Sequence, residues 1–335
     1  MNSQDGRYRL FGAELSPYSI KVRSYLRYKE LPHDWIVRSQ ANEDEFRGLA
    51  KLPLVPLLVM PDGSVLQDST PIIERLEQVH PEPSIHPPGP VAAFVSALLE
   101  EYGDEWGNKP MFHYRWAYEP DQASAARRIA VEMMPGIDEA TLAQAVEMVR
   151  ARMVPRLSFV GSSDATRPAI EGSFLRLASI LEEHLAGRPY VFGGRPAFAD
   201  FGLYPQIRQA ATDPTAGALL RERFPGVLAW TQRMLSPSAD GWFESWEALA
   251  PTLAPLLRDE VAGVFLPWST ANRKALAAGE KEFALDLAGR PFRQETQKYH
   301  ARSLDVLRRR YAAVAERSAL DRVLDDTDCL RWLRD

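Results

Sequence analysis

Cysteine is almost absent from this sequence. The 335 residues include one cysteine, Cys329. A single thiol excludes an intrachain disulfide, a cysteine-based zinc site and a Cys-x-x-Cys redox pair. The six histidines are scattered and form no His-x-x-x-His pair on a helix, so we expect no metal site.

The sequence also has no long apolar run and no strong excess of charge. The most apolar stretch near its N-terminus, residues 52–60, is far too short to span a bilayer and contains two prolines. Residues 1–7 have no apolar segment of the kind that a secretory signal needs. A net charge of −5 gives no electrostatic reason to expect nucleic acid or an anionic membrane as a partner. We therefore expect a cytoplasmic protein that binds neither.

The first 84 residues have the pattern of a small α/β domain. Strand-like runs are predicted at 8–12, 33–37, 56–60 and 64–67, and helices at 20–29, after Asn42 and after Asp68 or Ser69. A Pro-Asp-Gly turn at 61–63 indicates that the last two strands are antiparallel. The resulting order of strand, helix, strand, helix, strand, strand and helix predicts a thioredoxin-like fold.

The remainder of the chain has mainly helical periodicity. Residues 80–90 contain five prolines and indicate a linker. The clearest helices beyond it are predicted at 91–102, 121–134, 139–153, 171–185, 198–211 and 225–235, with a break at 106–110. Residues 283–292 predict a small hairpin, and 297–317 have the spacing of an amphipathic helix. We therefore predict three parts: residues 1–84, an all-α domain at 91–255 and a C-terminal extension at 256–335.

Three motifs in the first part resemble those of the glutathione S-transferase superfamily. Ser16–Ser19 reads Ser-Pro-Tyr-Ser, which is similar to the glutaredoxin motif Cys-Pro-Tyr-Cys with serine at both cysteine positions. Val55–Pro56 stands where the superfamily has a cis-proline. Asp68–Ser69 resembles the acid–serine pair that holds the glutamyl end of glutathione. The resemblance covers about residues 1–250 and implies a serine-type bacterial member with a thioredoxin-like α/β N-terminal domain and an all-α C-terminal domain.

The resemblance also implies roles for individual residues. Ser16, with Ser19 as the second candidate, would donate its hydroxyl to the glutathione thiolate at a helix N-terminus, where the helix dipole also favours an anion. Glutathione would be bound by Tyr18, Leu54, Val55, Pro56, Asp68 and Ser69, and the electrophile by Tyr114 and Arg115. Each assignment has a structural alternative: helix capping for Ser16, Ser19, Asp68 and Ser69, fold maintenance for Val55–Pro56, and core packing for Tyr114 and Arg115.

Two segments depart from the family pattern. Where many transferases have Asn-Pro-x-Gly-Lys, this chain has Lys51–Val55, so the lysine expected near the glycine end of glutathione is missing or replaced by Lys51 or Arg47. The capping box of a buried helix in the second domain has Ala197 at its first position, so only Asp200 remains to bond the backbone there.

The resemblance predicts a homodimeric, metal-independent transferase that uses glutathione as its co-substrate and attacks a hydrophobic electrophile. A second hypothesis is a non-catalytic transferase-fold protein that acts in protein interaction, which the two departures and the extension favour. A glutathione-dependent isomerase or lyase would use the same thiolate. The sequence does not identify the second substrate.

Overall fold

A small mixed sheet and its helices form the N-terminal part of the computed structural model, which describes residues 6–334. The elements are β1 (Tyr8–Gly12), α1 (Pro17–Tyr28), β2 (His33–Val37), α2 (Glu43–Leu49), β3 (Leu57–Val59), β4 (Val65–Gln67) and α3 (Ser69–Val79). The strand order is β2-β1-β3-β4, with β1 parallel to β2 and antiparallel to β3. The predicted thioredoxin-like order is confirmed.

The sheet is covered on both faces, as the alternation in β1 requires. Leu10 and Leu58 belong to the large core that continues into the helical body. Phe11 points the other way and packs edge-to-face on Phe46 of α2, with 5.9 Å between the ring centroids. The end of β1 is therefore packed on both faces, and this packing fixes the position at which the turn to α1 begins.

Helices make up most of the chain beyond residue 90. They are α4 (Pro90–Tyr102), α5 (Asn108–Ala117), α6 (Glu119–Met133), α7 (Glu139–Met153), α8 (Arg167–His184), α9 (Phe198–Thr212), α10 (Pro214–Arg223), α11 (Pro225–Arg233), α12 (Trp246–Leu256) and α13 (Leu266–Ala277). Buried Asp200 accepts hydrogen bonds from the backbone N–H groups of Ala197 and Val191, as the remaining half of the capping box predicts.

The expected break at 106–110 is wrong. A π-helical turn, Gly103–Gly107, joins α4 to α5, so that residues 90–117 form one helix. The wider turn accommodates Pro110, which has no N–H to donate, without ending the helix. A second π-helical segment, Leu257–Phe265, joins α12 to α13 in the same way. The predicted boundary after residue 255 therefore falls inside a continuous helix.

The C-terminal extension contains the predicted hairpin and amphipathic helix. Strands β5 (Glu282–Leu287) and β6 (Arg290–Glu295) pair antiparallel, and α14 (Lys298–Ala313), α15 (Ser318–Asp326) and α16 (Leu330–Leu333) follow. Leu304, Leu307 and Tyr311 of α14 are buried, and Tyr311 packs on Phe94 of α4 with 5.9 Å between the ring centroids. The apolar face of this helix is thus packed against the first helix of the helical body.

Close backbone contact joins α4 to α9. A Cβ on Gly202 would lie 2.5 Å from the Cα of Glu100, and one on Gly103 would lie 2.5 Å from the carbonyl carbon of Gly202. Such distances are shorter than van der Waals contact, so only glycine fits at either position. The approach brings the acidic segment of α4 close to α1, which packs on α9 through Tyr25 and Phe201.

A buried lysine connects the two parts of the chain. Lys21 of α1 is 0% exposed, and its Nζ lies 2.5 Å from both Glu100 Oε1 and Asp104 Oδ2 and donates to Thr70 Oγ1 at 2.9 Å. Burial alone would lower the pKa of Lys21, but the carboxylates of Asp104 and Glu100 outweigh that effect and raise it. The ammonium therefore stays charged and holds α1, α3 and α4 together.

We expect Lys21→Met to destabilise the protein by about 3–5 kcal/mol, because the substitution leaves two buried carboxyl groups without their cation. Urea unfolding followed by circular dichroism measures the change. The matched control is Arg127→Met, which breaks an exposed ion pair with Glu139 and should change the midpoint far less. Equal effects of the two substitutions would contradict the assignment.

Candidate functional site

The first site element is the turn between β1 and α1. Helix α1 begins at Pro17, earlier than predicted, because the Ser16 hydroxyl oxygen accepts the N–H of Ser19 at 3.2 Å and proline is favoured at the first helical position. Ser16 is partly exposed, and within residues 6–334 its hydroxyl donates no hydrogen bond. The hydroxyl proton therefore remains available to an acceptor outside the chain.

Ser19, the second candidate, is placed differently. It is 0% exposed, and its hydroxyl has no hydrogen-bond partner among the described residues. Its Cβ is packed against Gly12: a Cβ added to Gly12 would lie 3.0 Å from the Cβ of Ser19 and 2.2 Å from the ring of Trp35. Of the two serines, only Ser16 is accessible to a ligand from solvent.

A cavity of about 560 Å³ lies beside this turn. Five of the predicted glutathione-binding residues line it together: Tyr18, Leu54, Val55, Pro56 and Asp68. The other lining residues are mostly apolar and include Leu49, Leu52, Val65 and Leu66, together with Lys51, Gln67 and Tyr299. The structure thus brings the residues of three separate motifs to one concave surface, whereas Ser16 is not among the lining residues.

The wall formed by Val55 and Pro56 presents open backbone groups. The Val55–Pro56 peptide bond is cis, and neither the N–H nor the C=O of Val55 forms a hydrogen bond with another described residue. The preceding loop is fixed by Gln67, whose side chain accepts from the N–H groups of Lys51 and Leu52 and donates to the carbonyls of Leu52 and Leu54. Gln67 is a site residue that the sequence motifs did not predict, although its position directly before Asp68 was a signal.

Asp68 occupies the N-cap position of α3 but does not cap it. Its φ of 78° is a left-handed conformation that non-glycine residues seldom adopt, and its carboxylate accepts no N–H of the helix. Instead, Asp68 Oδ2 accepts a hydrogen bond from the Tyr299 hydroxyl at 3.2 Å. The neighbouring Ser69 is buried, and its hydroxyl has no partner among the described residues. Capping therefore does not account for the side chain of Asp68.

The floor of the site is tied to the acidic segment of α4. Tyr18 donates its hydroxyl to the carbonyl of Asp104, in the π-helical turn, at 3.0 Å. Burial raises the pKa of Tyr18, so its hydroxyl keeps its proton and the hydrogen bond persists at neutral pH. Burial also raises the pKa of Asp104 and of Glu105 to about 8, in spite of nearby Lys21 and Lys109. These carboxyl groups are structural neighbours of the cavity wall.

The two residues predicted to contact the electrophile do not line the cavity. Tyr114 is buried in the core, where it packs on Phe174 and stacks on Tyr118. Arg115 is 4% exposed and pairs with Asp213 at 2.8 Å. Tyr114 therefore turns into the helical body, and the guanidinium of Arg115 lies between Asp213 and the backbone of the β1–α1 turn, away from the cavity.

Arg115 nevertheless supports the Ser16 turn. Its Nη1 donates to the carbonyl of Leu15 at 2.8 Å, and its Nη2 donates to Gln209 Oε1 at 2.7 Å. Gln209 in turn donates to the carbonyl of Glu14 at 2.6 Å. Two consecutive carbonyls before Ser16 are therefore held by buried side chains of the helical body.

The described part of the chain contains neither a metal-binding cluster nor a membrane-spanning helix. Residues 6–334 contain no group of three or more His, Cys, Asp or Glu side chains arranged to hold a metal ion. In the same range no helix is both long enough and apolar enough to cross a lipid bilayer.

Two protein-family models match the chain. The model for the glutathione S-transferase N-terminal domain matches residues 10–84, which contain most of the sheet and the Ser16, Val55 and Asp68 motifs. The model for the glutathione S-transferase C-terminal domain matches residues 164–233, which contain α8 to α11. The two matches occur in chain order and on the two parts that the structure shows.

A curated relative and two solved structures are similar to the chain. A probable glutathione S-transferase of Oryza sativa subsp. japonica is 29% identical over 108 residues, which are 30% of this chain and 45% of the relative. The chain thus matches less than half the length of that relative. Beta-etherase LigF from Sphingobium sp. strain SYK-6 is 18% identical, with 68% of this chain and 94% of that chain covered and a TM-score of 0.48. A glutathione S-transferase from Rhodospirillum rubrum F11 is 21% identical, with 67% and 86% covered and a TM-score of 0.43.

We expect Arg115→Met to loosen the Ser16 turn, because it removes charged hydrogen bonds to Leu15 and Gln209 that contribute about 1.5–3 kcal/mol each. Amide hydrogen exchange in residues 13–19 should become about tenfold faster or more, as measured by mass spectrometry. Arg128→Met is the control: it removes the other cation paired with Asp213, without touching residues 14 and 15. Equal loss of protection in both variants would contradict the supporting role of Arg115.

Proposed function

Because the chain belongs to the glutathione S-transferase superfamily, we propose that it binds glutathione in the 560 Å³ cavity and transfers the glutathionyl group, through its sulfur, to a hydrophobic electrophile. The observation that carries the proposal is the placement of Asp68. This residue stands at the N-cap of α3 and yet turns its carboxylate to the cavity that the cis Val55–Pro56 pair also lines. A carboxylate that does not cap its helix is free to bind a ligand cation.

The cavity offers one partner to each part of the tripeptide. The unpaired N–H and C=O of Val55 are suited to pair with the cysteinyl residue, as an added strand would. Asp68 is suited to the ammonium of the glutamyl residue, and the N-terminus of α3 to its carboxylate, whereas Ser69 is 0% exposed and does not line the cavity. Lys51 also lines the cavity and would bind the glycine carboxylate in place of the lysine that is missing from the family pattern.

The chemical step needs a thiolate at neutral pH, whereas a free thiol has a pKa of about 8.5. The Ser16 hydroxyl has a proton to donate and stands at the N-terminus of α1, where the helix dipole favours an anion. The thiol proton leaves to solvent, the sulfur attacks an electrophilic carbon, and the leaving group departs with its electron pair as the C–S bond forms. Serine cannot form a mixed disulfide, so glutaredoxin-type exchange is disfavoured.

The apolar lining supports a hydrophobic second substrate. Leu52 and Leu54 are 58% and 61% exposed at the edge of the cavity, and Leu49 lies next to them. Covering such side chains with an apolar ligand removes hydrocarbon surface from water, which stabilises the complex by about 25 cal/mol per Å². The electrophile would therefore bind on the loop side of the cavity rather than at Tyr114 and Arg115.

The second candidate function is non-catalytic binding through the same fold. It is favoured by the position of Ser16, which is outside the cavity lining, and by the exposed leucines of the 51–55 loop. Saturable glutathione binding without conjugation of any tested electrophile would support this alternative. An isomerase or lyase would use the same thiolate and would be found by screening such substrates.

The predicted homodimer and cytoplasmic location follow from the family resemblance and from the sequence, and they stay predictions. Sedimentation equilibrium of the full chain measures the oligomeric state directly. A dimer mass at micromolar concentration would agree with the prediction.

We expect Asp68→Ala to weaken glutathione binding by about tenfold to a hundredfold, because a hydrogen bond between charged groups contributes about 1.5–3 kcal/mol. Isothermal calorimetry with wild type and variant measures the change. Asp62→Ala is the control, since Asp62 lies in the β3–β4 turn outside the cavity. Absence of wild-type binding at millimolar glutathione would overturn the proposed function.

We expect Ser16→Gly to raise the pKa of the bound glutathione thiol by about one unit, because it removes the hydroxyl donor while costing only a few tenths of a kcal/mol as a helix cap. Thiolate absorbance against pH measures the shift. Ser16→Thr keeps the hydroxyl and should restore the wild-type value, and Ser19→Ala should not change it. If Ser16→Gly leaves the pKa unchanged, Ser16 only caps α1.

A further inference from the structure

The C-terminal extension contributes a side chain to the proposed glutathione site. Tyr299, near the start of α14, lines the 560 Å³ cavity, and its hydroxyl donates to Asp68 Oδ2 at 3.2 Å. Tyr299 is 55% exposed, so it lies at the mouth of the cavity. Residue 299 is outside both ranges that the family models match, 10–84 and 164–233.

Helix α14 is held against three other helices. Ser303 donates to Glu101 of α4, and Arg310 pairs with Glu74 of α3. The ring of His300 packs edge-on against Trp268 of α13, with 4.7 Å between the centroids. Because these contacts involve three different helices, the backbone at Tyr299 is held in place independently of its own hydrogen bond.

A second cavity, of about 220 Å³, lies behind Tyr299. Asp68 and Tyr299 line both cavities, and the second one is also lined by Glu74, Glu101 and Glu105. Asp68 is exposed and makes no capping bond, so its carboxylate is free to rotate between the two cavities unless another group holds it. The Tyr299 hydroxyl is the donor that fixes it at the boundary.

We propose that Tyr299 is a positioning residue that orients the Asp68 carboxylate towards the glutamyl ammonium of glutathione. The inference rests on the proposed function, and it makes the extension part of the ligand-binding site. The hydroxyl of Tyr299 bonds to Oδ2 and leaves Oδ1 for the ligand. Phenylalanine at this position would keep the ring at the cavity mouth but would lose the bond that orders Asp68.

The test is calorimetric titration of full-length Tyr299→Phe with two ligands. One is glutathione, and the other is its analogue glutaryl-cysteinylglycine, which lacks only the glutamyl amino group. The variant should bind glutathione about tenfold more weakly than wild type, the loss expected for a hydrogen bond to a charged group. It should bind the analogue with unchanged affinity, because the contact that Tyr299 orders is missing from that ligand.

Tyr118→Phe is the matched control. It also removes a tyrosine hydroxyl that donates to a carboxylate, that of Glu171, but Tyr118 does not line the cavity. This variant should bind both ligands like wild type. The comparison separates an effect at the site from a general loss of stability, because only a residue acting on the glutamyl end changes the ratio of the two affinities.

Two results would overturn the inference and leave the proposed function intact: wild-type glutathione affinity in Tyr299→Phe, or an equal loss for both ligands. The second result would mean that the hydroxyl only supports the structure. Failure of wild type to bind glutathione at all is a different outcome, since it overturns the proposed function and the inference together.

Discussion

The ammonium of Lys21 is the interaction on which the candidate site depends. It is buried among Glu100, Asp104 and Thr70, and two of these adjoin the cavity: the Asp104 carbonyl accepts from Tyr18, and Thr70 lies two residues after Asp68 at the start of α3. One charge therefore fixes the relative positions of α1, α3 and α4. A buried charge that loses a partner is costly, whereas a well-paired one adds little stability and much geometric constraint. We therefore interpret the Lys21 ion pairs as fixing the relative positions of the three helices rather than as adding much to the free energy of unfolding.

Around that centre, two side chains fix the backbone of the site. Gln67 fixes the loop before Val55 through four hydrogen bonds, and Arg115 holds the carbonyl before Ser16. Both are polar groups that satisfy backbone atoms of segments without regular structure. A loop that bonds to rigid elements in this way keeps its backbone groups in place for a partner such as an extended peptide.

The sequence predicts most of the local structure because the signals are local. Strand 8–12 and helix 139–153 match their predicted limits, since apolar alternation and helical periodicity are strong there. The prediction of a break at 106–110 was wrong because glycine and proline signals do not reveal a π-helical turn. The assignment of Tyr114 and Arg115 to the electrophile pocket depended on that break. Tyr299 could not be found from sequence, because it meets Asp68 across 231 residues and no local pattern encodes that contact.

The acidic surroundings of Asp68 raise the question of why a ligand ammonium would bind there and not deeper. The carboxyl groups of Asp104 and Glu105 lie behind it, and burial raises the pKa of both to about 8. Asp104 is already paired with the ammonium of Lys21, and Lys109 lies near Glu105, so these carboxyl groups attract a ligand cation less than their number suggests. Asp68 is exposed at the boundary, where an ammonium keeps part of its hydration while it binds. The extension thus encloses the inner carboxyl groups and leaves Asp68 as the accessible one, which is the arrangement that selects for a cation at the mouth of the cavity.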